Sequence, residues 1–255
     1  MAEAEIKIKV RNLCKAFGEH VVLDGIDLDI KKDSSIVILG GSGTGKSVLI
    51  KTMIGLLSPD KGSVEFDDVE TIGIPLPERL KILENCGFLF QGGALFDSLN
   101  ITDNITFFAQ KLYNLRKKDE KKALASEKLK SVGLPDRILE LYPSELSGGM
   151  QKRVALARAI CTNPKVIFFD EPTTGLDPIM ANVINDLIVK IRQELGATSI
   201  TITHDMHSVR QIATEVALIY KGKIQWYGKR EEMDNTDNPY MHQFINGLPE
   251  GPFEV

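Results

Sequence analysis

The residues Gly40-Gly41-Ser42-Gly43-Thr44-Gly45-Lys46-Ser47 carry the most specific chemistry in this chain. They follow the apolar run Ile36–Leu39 and precede Val48-Leu49-Ile50-Lys51, which sets the loop between a strand and a helix. Glycines let successive backbone N–H groups turn toward one anion without side chains in the way. The helix that follows adds its positive end, Lys46 can reach the outer phosphates, and the Ser47 hydroxyl can ligate Mg²⁺. A glycine-rich turn that binds nothing is the plainer alternative. The full pattern in this context implies a site for a nucleoside triphosphate.

Two further segments carry groups that such a site needs. Val166-Ile167-Phe168-Phe169 ends in Asp170-Glu171, so a buried strand would deliver two adjacent carboxylates to a sheet edge where ligands bind. Asp170 suits the Mg²⁺ shell, and Glu171 can polarise an attacking water. Taken alone, the pair reads equally well as an acidic helix cap. Leu146-Ser147-Gly148-Gly149-Met150-Gln151 opens a helical pattern. Ser147 is a good N-cap there, and the glycine pair leaves N–H groups exposed to an anion.

The elements that must position these groups show in the apolar patterning. Ile6, Ile8 and Val10, then Ile26, Leu28 and Ile30, alternate with polar residues, as half-buried antiparallel strands do; Val64-Glu65-Phe66 reads as a further short strand. Ile36–Leu39, Val166–Phe169 and Ser199–Thr203 read as fully buried strands separated by helical patterns, which implies a parallel sheet covered on both faces. The stretch from about Asp103 to Ala159 is helix-rich: Ile105, Phe108, Leu112 and Leu115 fall at helical spacing, and Thr102 or Asp103 is a candidate cap. The charged run Arg116–Lys122 reads as a solvated helix start. Val216–Tyr220 and Lys223–Tyr227 flank Lys221-Gly222 as a hairpin. Beyond it, Tyr240, Phe244, Ile245, Leu248 and Phe253 are too apolar for a free linker, so the tail is expected to dock.

Bulk properties narrow the function classes. The chain has 255 residues, 43% hydrophobic and 26% charged, enough for one large α/β domain, or for one domain plus a small insertion. Its net charge of −4 gives no reason to expect nucleic acid as a partner. No apolar run approaches the roughly 20 residues that span a bilayer, and Met1–Glu5 lacks a signal-peptide core. Cys14, Cys86 and Cys161 are scattered and odd in number, which fits a reducing cytoplasm rather than a disulfide or zinc framework.

On the strength of the phosphate loop, Asp170-Glu171 and Leu146-Ser147-Gly148-Gly149, the sequence resembles the ATP-binding cassette ATPases. Met150 stands where that family usually has Gln. The resemblance runs from about Ile6 to Tyr227 and implies a P-loop core with a parallel sheet, an antiparallel β-subdomain and an inserted helical subdomain at about 95–160. It divides the chain into a cassette, 1–227, and a C-terminal interaction tail, 228–255. It further implies that Gln91 approaches Mg²⁺ and the attacking water, that His204 contacts the γ-phosphate, that Asp177 of Gly175-Leu176-Asp177-Pro178 lies at a subunit crossing, and that the Phe17 ring meets adenine. By themselves Gln91 and His204 read as ordinary loop residues, and Phe17 as core. ATP would lie between the phosphate loop of one copy and Ser147-Gly148-Gly149 of a second, so a homodimer is expected.

Within the family, one cassette and no room for a long coiled coil argue against the DNA-repair and ribosome-associated types. Transport subunits and cell-division-type cassettes remain. Gly93-Ala94-Leu95-Phe96-Asp97-Ser98-Leu99, together with Asn238-Pro239-Tyr240 and Gln243–Gly247, resembles the bacterial Mla-type phospholipid transporters that work with MCE proteins. That resemblance implies a polytopic inner-membrane permease, a periplasmic MCE lipid-binding protein and a small cytoplasmic STAS-domain protein as partners. The chain would sit peripherally on the cytoplasmic face of the inner membrane, and its tail would reach a neighbouring cassette; the plainer alternative for the tail is a terminal helix folded back on its own domain. Phe96, Phe107 and Phe108 are candidates for the permease contact.

Overall fold

A computed structural model describes residues 5–254; the expectation for the first residues and the last position of the tail lie outside them. In chain order, the opening elements are β1 (Ile6–Phe17), β2 (His20–Lys31), β3 (Ser35–Leu39), α1 (Lys46–Met53), β4 (Lys61–Phe66), β5 (Val69–Glu70) and α2 (Leu76–Leu83). Then come β6 (Cys86–Leu89), α3 (Ile101–Leu112), α4 (Lys118–Ser131), α5 (Gly148–Ala159), β7 (Val166–Asp170) and α6 (Pro178–Leu195). The last are β8 (Thr198–Ile202), α7 (Met206–Ile212), β9 (Glu215–Tyr220), β10 (Lys223–Lys229), α8 (Arg230–Met233) and α9 (Pro239–Asn246). The chain divides into two compact units, one made of residues up to Ile82 and from Thr198 onward, the other of Leu83–Ala197.

In the first unit, β1 pairs antiparallel with both β2 and β4. The alternation seen in the sequence becomes apolar rows across three strands: Leu28–Val10–Val64 and Ile30–Ile8–Phe66 face one another in register. Cross-strand apolar pairs of this kind are what fix a sheet's register. The same unit holds β3 between β8 and β9, both parallel to it, with Ile36 opposite Ile200 and Leu39 opposite Leu218. Every residue of β3 and β8 is buried, as a strand covered on both faces requires. The β9–β10 hairpin turns at Lys221-Gly222 as expected.

The tail folds onto that hairpin. Asn238 caps α9 and its amide also donates to the Gln225 carbonyl at 2.9 Å. Tyr220, Tyr240, Phe244 and Phe253 form one aromatic cluster, with Phe253 4.4 Å from Tyr220 between ring centroids. The buried Gln243 amide donates to the Leu248 and Phe253 carbonyls and accepts from the Phe253 N–H at 2.7 Å.

In the second unit, β6 and β7 pair in parallel, and α5 packs on β6 beside α3 and α4. Phe88 of β6 stacks on Phe168 of β7, centroids 5.3 Å apart. The cap of α3 differs from the two expected candidates. Asn100 accepts from the Asp103 N–H at 2.8 Å, whereas the buried Thr102 hydroxyl donates to the Leu139 carbonyl. An extended residue ahead of the helix can aim its side chain back at the first turn; a residue already inside the helix cannot.

Gly87 of β6 is required by the end of α5. A Cβ there would press on the Ala159 carbonyl oxygen and lie 3.0 Å from Pro164. Backbone cannot yield as a flexible side chain can, so Gly87→Ala is expected to destabilise the protein by about 1–3 kcal/mol. Chemical denaturation of the purified variant checks this; an unchanged midpoint would show that α5 moves freely over β6.

Candidate functional site

The phosphate loop belongs to the first unit and connects β3 to α1. Gly40 and Gly45 have positive φ and no room for a side chain: a Cβ on Gly40 would lie 2.6 Å from the Ile219 carbonyl, and one on Gly45 2.8 Å from the Val22 carbonyl. Gly43, also at positive φ, faces open space. Backbone therefore shapes the loop's base, while Ser42 and Gly43 stand exposed at its crest. Thr44 closes the turn by donating to the Gly41 carbonyl at 3.0 Å. The Lys46 side chain is buried and curls into the loop, its ammonium donating to the Gly40 and Gly41 carbonyls at 2.8 and 2.7 Å. Ser47 occupies the first turn of α1, half-buried.

Two more of the expected residues lie in the same unit. Phe17 ends β1 with its ring 49% exposed, which removes the core reading, and the Lys15 ammonium sits 5.5 Å from the ring centroid. His204 is exposed in the short segment between β8 and α7, one residue before Asp205 caps that helix. The strand ends of β3 and β8, which are direct neighbours, thus present Gly40–Ser47 and His204 from one sheet.

The remaining residues belong to the second unit. Asp170 is the last residue of β7, and Glu171 follows it, 8% exposed, with φ at 48°. A non-glycine residue in the left-handed region is uncommon and costs stability, a pattern that concentrates at functional positions. Thr174 donates to the Glu171 carboxylate at 3.1 Å. Gln91 lies in an exposed turn just after β6, a strand that was not recognised in the sequence. Ser147 caps α5 as expected, accepting from the Met150 N–H, and leaves Gly148 exposed. A Cβ on Gly149 would lie 2.7 Å from the Met180 methyl, so this glycine fits under the first turn of α6. Asp177 caps α6, accepting from the N–H groups of Ile179 and Met180 at 3.0 Å.

Sequence reading missed the groups that connect these loops. Lys152 of α5, 7% exposed, donates to the Gln91 carbonyl and, at 3.5 Å, to the Glu171 carbonyl. Burial pushes its pKa down, while the carboxylates of Asp170 and Glu171 push it up. Arg158 of the same helix donates to the Gly93 and Ala94 carbonyls at 2.7 and 2.6 Å. The signal available was Lys152 and Arg158 on either side of the apolar run Val154-Ala155-Leu156-Ala157.

No helix among the described residues is long and apolar enough to cross a membrane. The chain matches the ABC transporter family over residues 23–174. It is 38% identical over 97% of its length to the probable ribonucleotide transport ATP-binding protein mkl of Mycobacterium leprae, covering 71% of that protein. It is 37% identical over 96% of its length to the intermembrane phospholipid transport system ATP-binding protein MlaF of Haemophilus influenzae, covering 92% of that protein. The dimeric post-hydrolysis structure of the ATP-binding cassette MJ0796 bound to ADP and Pi superposes with a TM-score of 0.78 at 31% identity, over 88% of this chain and 98% of that one. A match across more than half the sequence, a phosphate loop with its lysine, and this likeness to a nucleotide-bound cassette leave one family: the chain is an ATP-hydrolysing cassette of the ABC transporters.

Proposed function

We propose that this chain powers phospholipid transport between the inner and outer membranes of a bacterium, from the cytoplasmic face of the inner membrane. The observation that carries the cargo is the match to MlaF, a phospholipid transport ATP-binding protein, over nearly the whole of both chains. The name of mkl points instead to ribonucleotides and is the competing reading.

At the chemical level, the exposed crest of Gly40–Ser47 holds the phosphates of ATP, with Lys46 on the outer ones. Ser47, Gln91 and Asp170 offer hydroxyl, amide and carboxylate oxygens, a hard donor set that suits Mg²⁺. Bound there, Mg²⁺ would supply charge neutralisation on the phosphates. Glu171 polarises the attacking water, His204 meets the γ-phosphate, and Phe17 meets the adenine. Ser147, Gly148 and Gly149 complete the site on a second copy, with Asp177 beside them, so two copies close on two ATP molecules and part after hydrolysis. A permease, a periplasmic MCE protein and a small STAS-domain protein complete the assembly.

Purification of the tagged chain from membranes in mild detergent, with lipid extraction, tests this. Co-purification of a permease and an MCE protein carrying glycerophospholipid is expected. A permease that arrives without phospholipid, or ATP hydrolysis stimulated by ribonucleotides, would overturn the cargo while leaving the ATPase reading intact.

A further inference from the structure

One face of α5 holds the turn that carries Gln91. Lys152 reaches the Gln91 carbonyl, the Ala155 methyl lies 3.4 Å from where a Cβ on Gly93 would stand, and Arg158 grips the Gly93 and Ala94 carbonyls. Residues at this spacing share one side of a helix. The turn needs such support, because Gly93 and Ala94 both have positive φ, at 74° and 47°. Lys152 differs from Arg158 in reaching a carbonyl outside this turn, that of Glu171. Glu171 itself is in the left-handed region, so its side-chain direction depends on a backbone conformation that the peptide would not choose unaided.

We infer that Lys152 is a positioning residue for ATP hydrolysis, a buried ammonium that pins the backbone carbonyls of Gln91 and Glu171 and so fixes the directions of both side chains. An ammonium has three donors and no acceptor, which suits a position among carbonyl oxygens. Hydrogen bonds from a charged donor are roughly twice as strong as neutral ones, so one group can hold two strained turns. The ammonium is directed at the two backbone carbonyls, so Lys152 acts through these two neighbours. The helix that carries it begins at Ser147-Gly148-Gly149, so the segment that meets the second copy's nucleotide also sets the geometry of this copy's own hydrolytic residues. This inference rests on the proposed roles of Gln91 and Glu171.

The test uses the full chain in its detergent-purified complex, with Lys152→Met, Lys152→Arg, Glu171→Gln and the Met/Gln double variant. Lys152→Met is expected to lower kcat by about 10–100-fold, the usual cost of losing a group that orients an active-site residue. KM for ATP should stay within about twofold, because ground-state binding is untouched. Lys152→Arg, whose guanidinium still donates to both carbonyls, should recover most of the rate. In the double variant the losses should fall short of multiplying, since the share of the Lys152 effect that runs through the Glu171 carboxylate is already gone and only the share through Gln91 remains. Should Lys152→Met fail to fold, Lys152→Gln carries the same expectations. An unchanged kcat, a loss confined to KM, an Arg variant as slow as Met, or multiplying losses would each overturn the inference. Normal turnover in Glu171→Gln would overturn the underlying role of Glu171 and this inference with it; a slow Glu171→Gln beside a normal Lys152→Met overturns the inference alone.

Discussion

Glu171→Gln is expected to slow ATP turnover by about 10²–10⁴-fold, the range that a positioned general base contributes. The amide keeps the size of the carboxylate and can still accept from Thr174, whose hydroxyl lies 3.1 Å away. It cannot take a proton, so the attacking water loses its partner while the nucleotide's contacts remain. ATP affinity should change little, and the stalled ATP-bound dimer should accumulate on size-exclusion chromatography. Phosphate release under saturating ATP reads the rate, and a labelled-nucleotide titration reads the affinity. A variant that turns over at the normal rate would remove Glu171 from the chemistry and move attention to His204.

The second large effect belongs to Lys46. Lys46→Ala is expected to weaken ATP binding by about 10–100-fold, since a hydrogen bond to a charged group contributes about 1.5–3 kcal/mol. The buried ammonium has two neighbouring carbonyls, those of Gly40 and Gly41, so its removal takes away charge and loosens the loop together. A titration calorimeter separates this from unfolding if the variant's melting curve without nucleotide is followed in parallel. Unchanged affinity in a folded variant would contradict the assignment of Gly40–Ser47 as the phosphate cradle.

Much of this site could be read from the chain because its parts are local. The phosphate loop, the Asp170-Glu171 pair and the Ser147 cap each occupy a few consecutive residues, and local pattern is what sequence carries best. What escaped was of two kinds. Short elements without a strong period were missed: β6 is four residues with a glycine inside, and α2 carries a proline in its first turn and buries no side chain. Contacts between distant residues were missed altogether. Lys152 and Gln91 are 61 positions apart, and nothing in either segment announces the other. The left-handed backbone of Glu171 was equally hidden, because strain at a non-glycine residue is imposed by its surroundings and not by its own propensity. The Asn100 cap was a narrower miss, two or three positions ahead of the expected Thr102 or Asp103.

The way the last segment of the chain is knotted together has a consequence for how it comes apart. Gln243 holds Leu248 and Phe253 through one amide, and Phe253 in turn supports the rings of Tyr220, Tyr240 and Phe244. Contacts shared this closely are lost together, so α9 and the residues after it should open as one cooperative step instead of fraying from the end. In hydrogen exchange, the amides of Met241, His242, Leu248 and Phe253 should then share a single protection free energy. Loosening the grip of Phe253 would release the segment whole, from Asn238 to Glu254, and expose Tyr220 at the end of the strand whose neighbour leads into the phosphate loop.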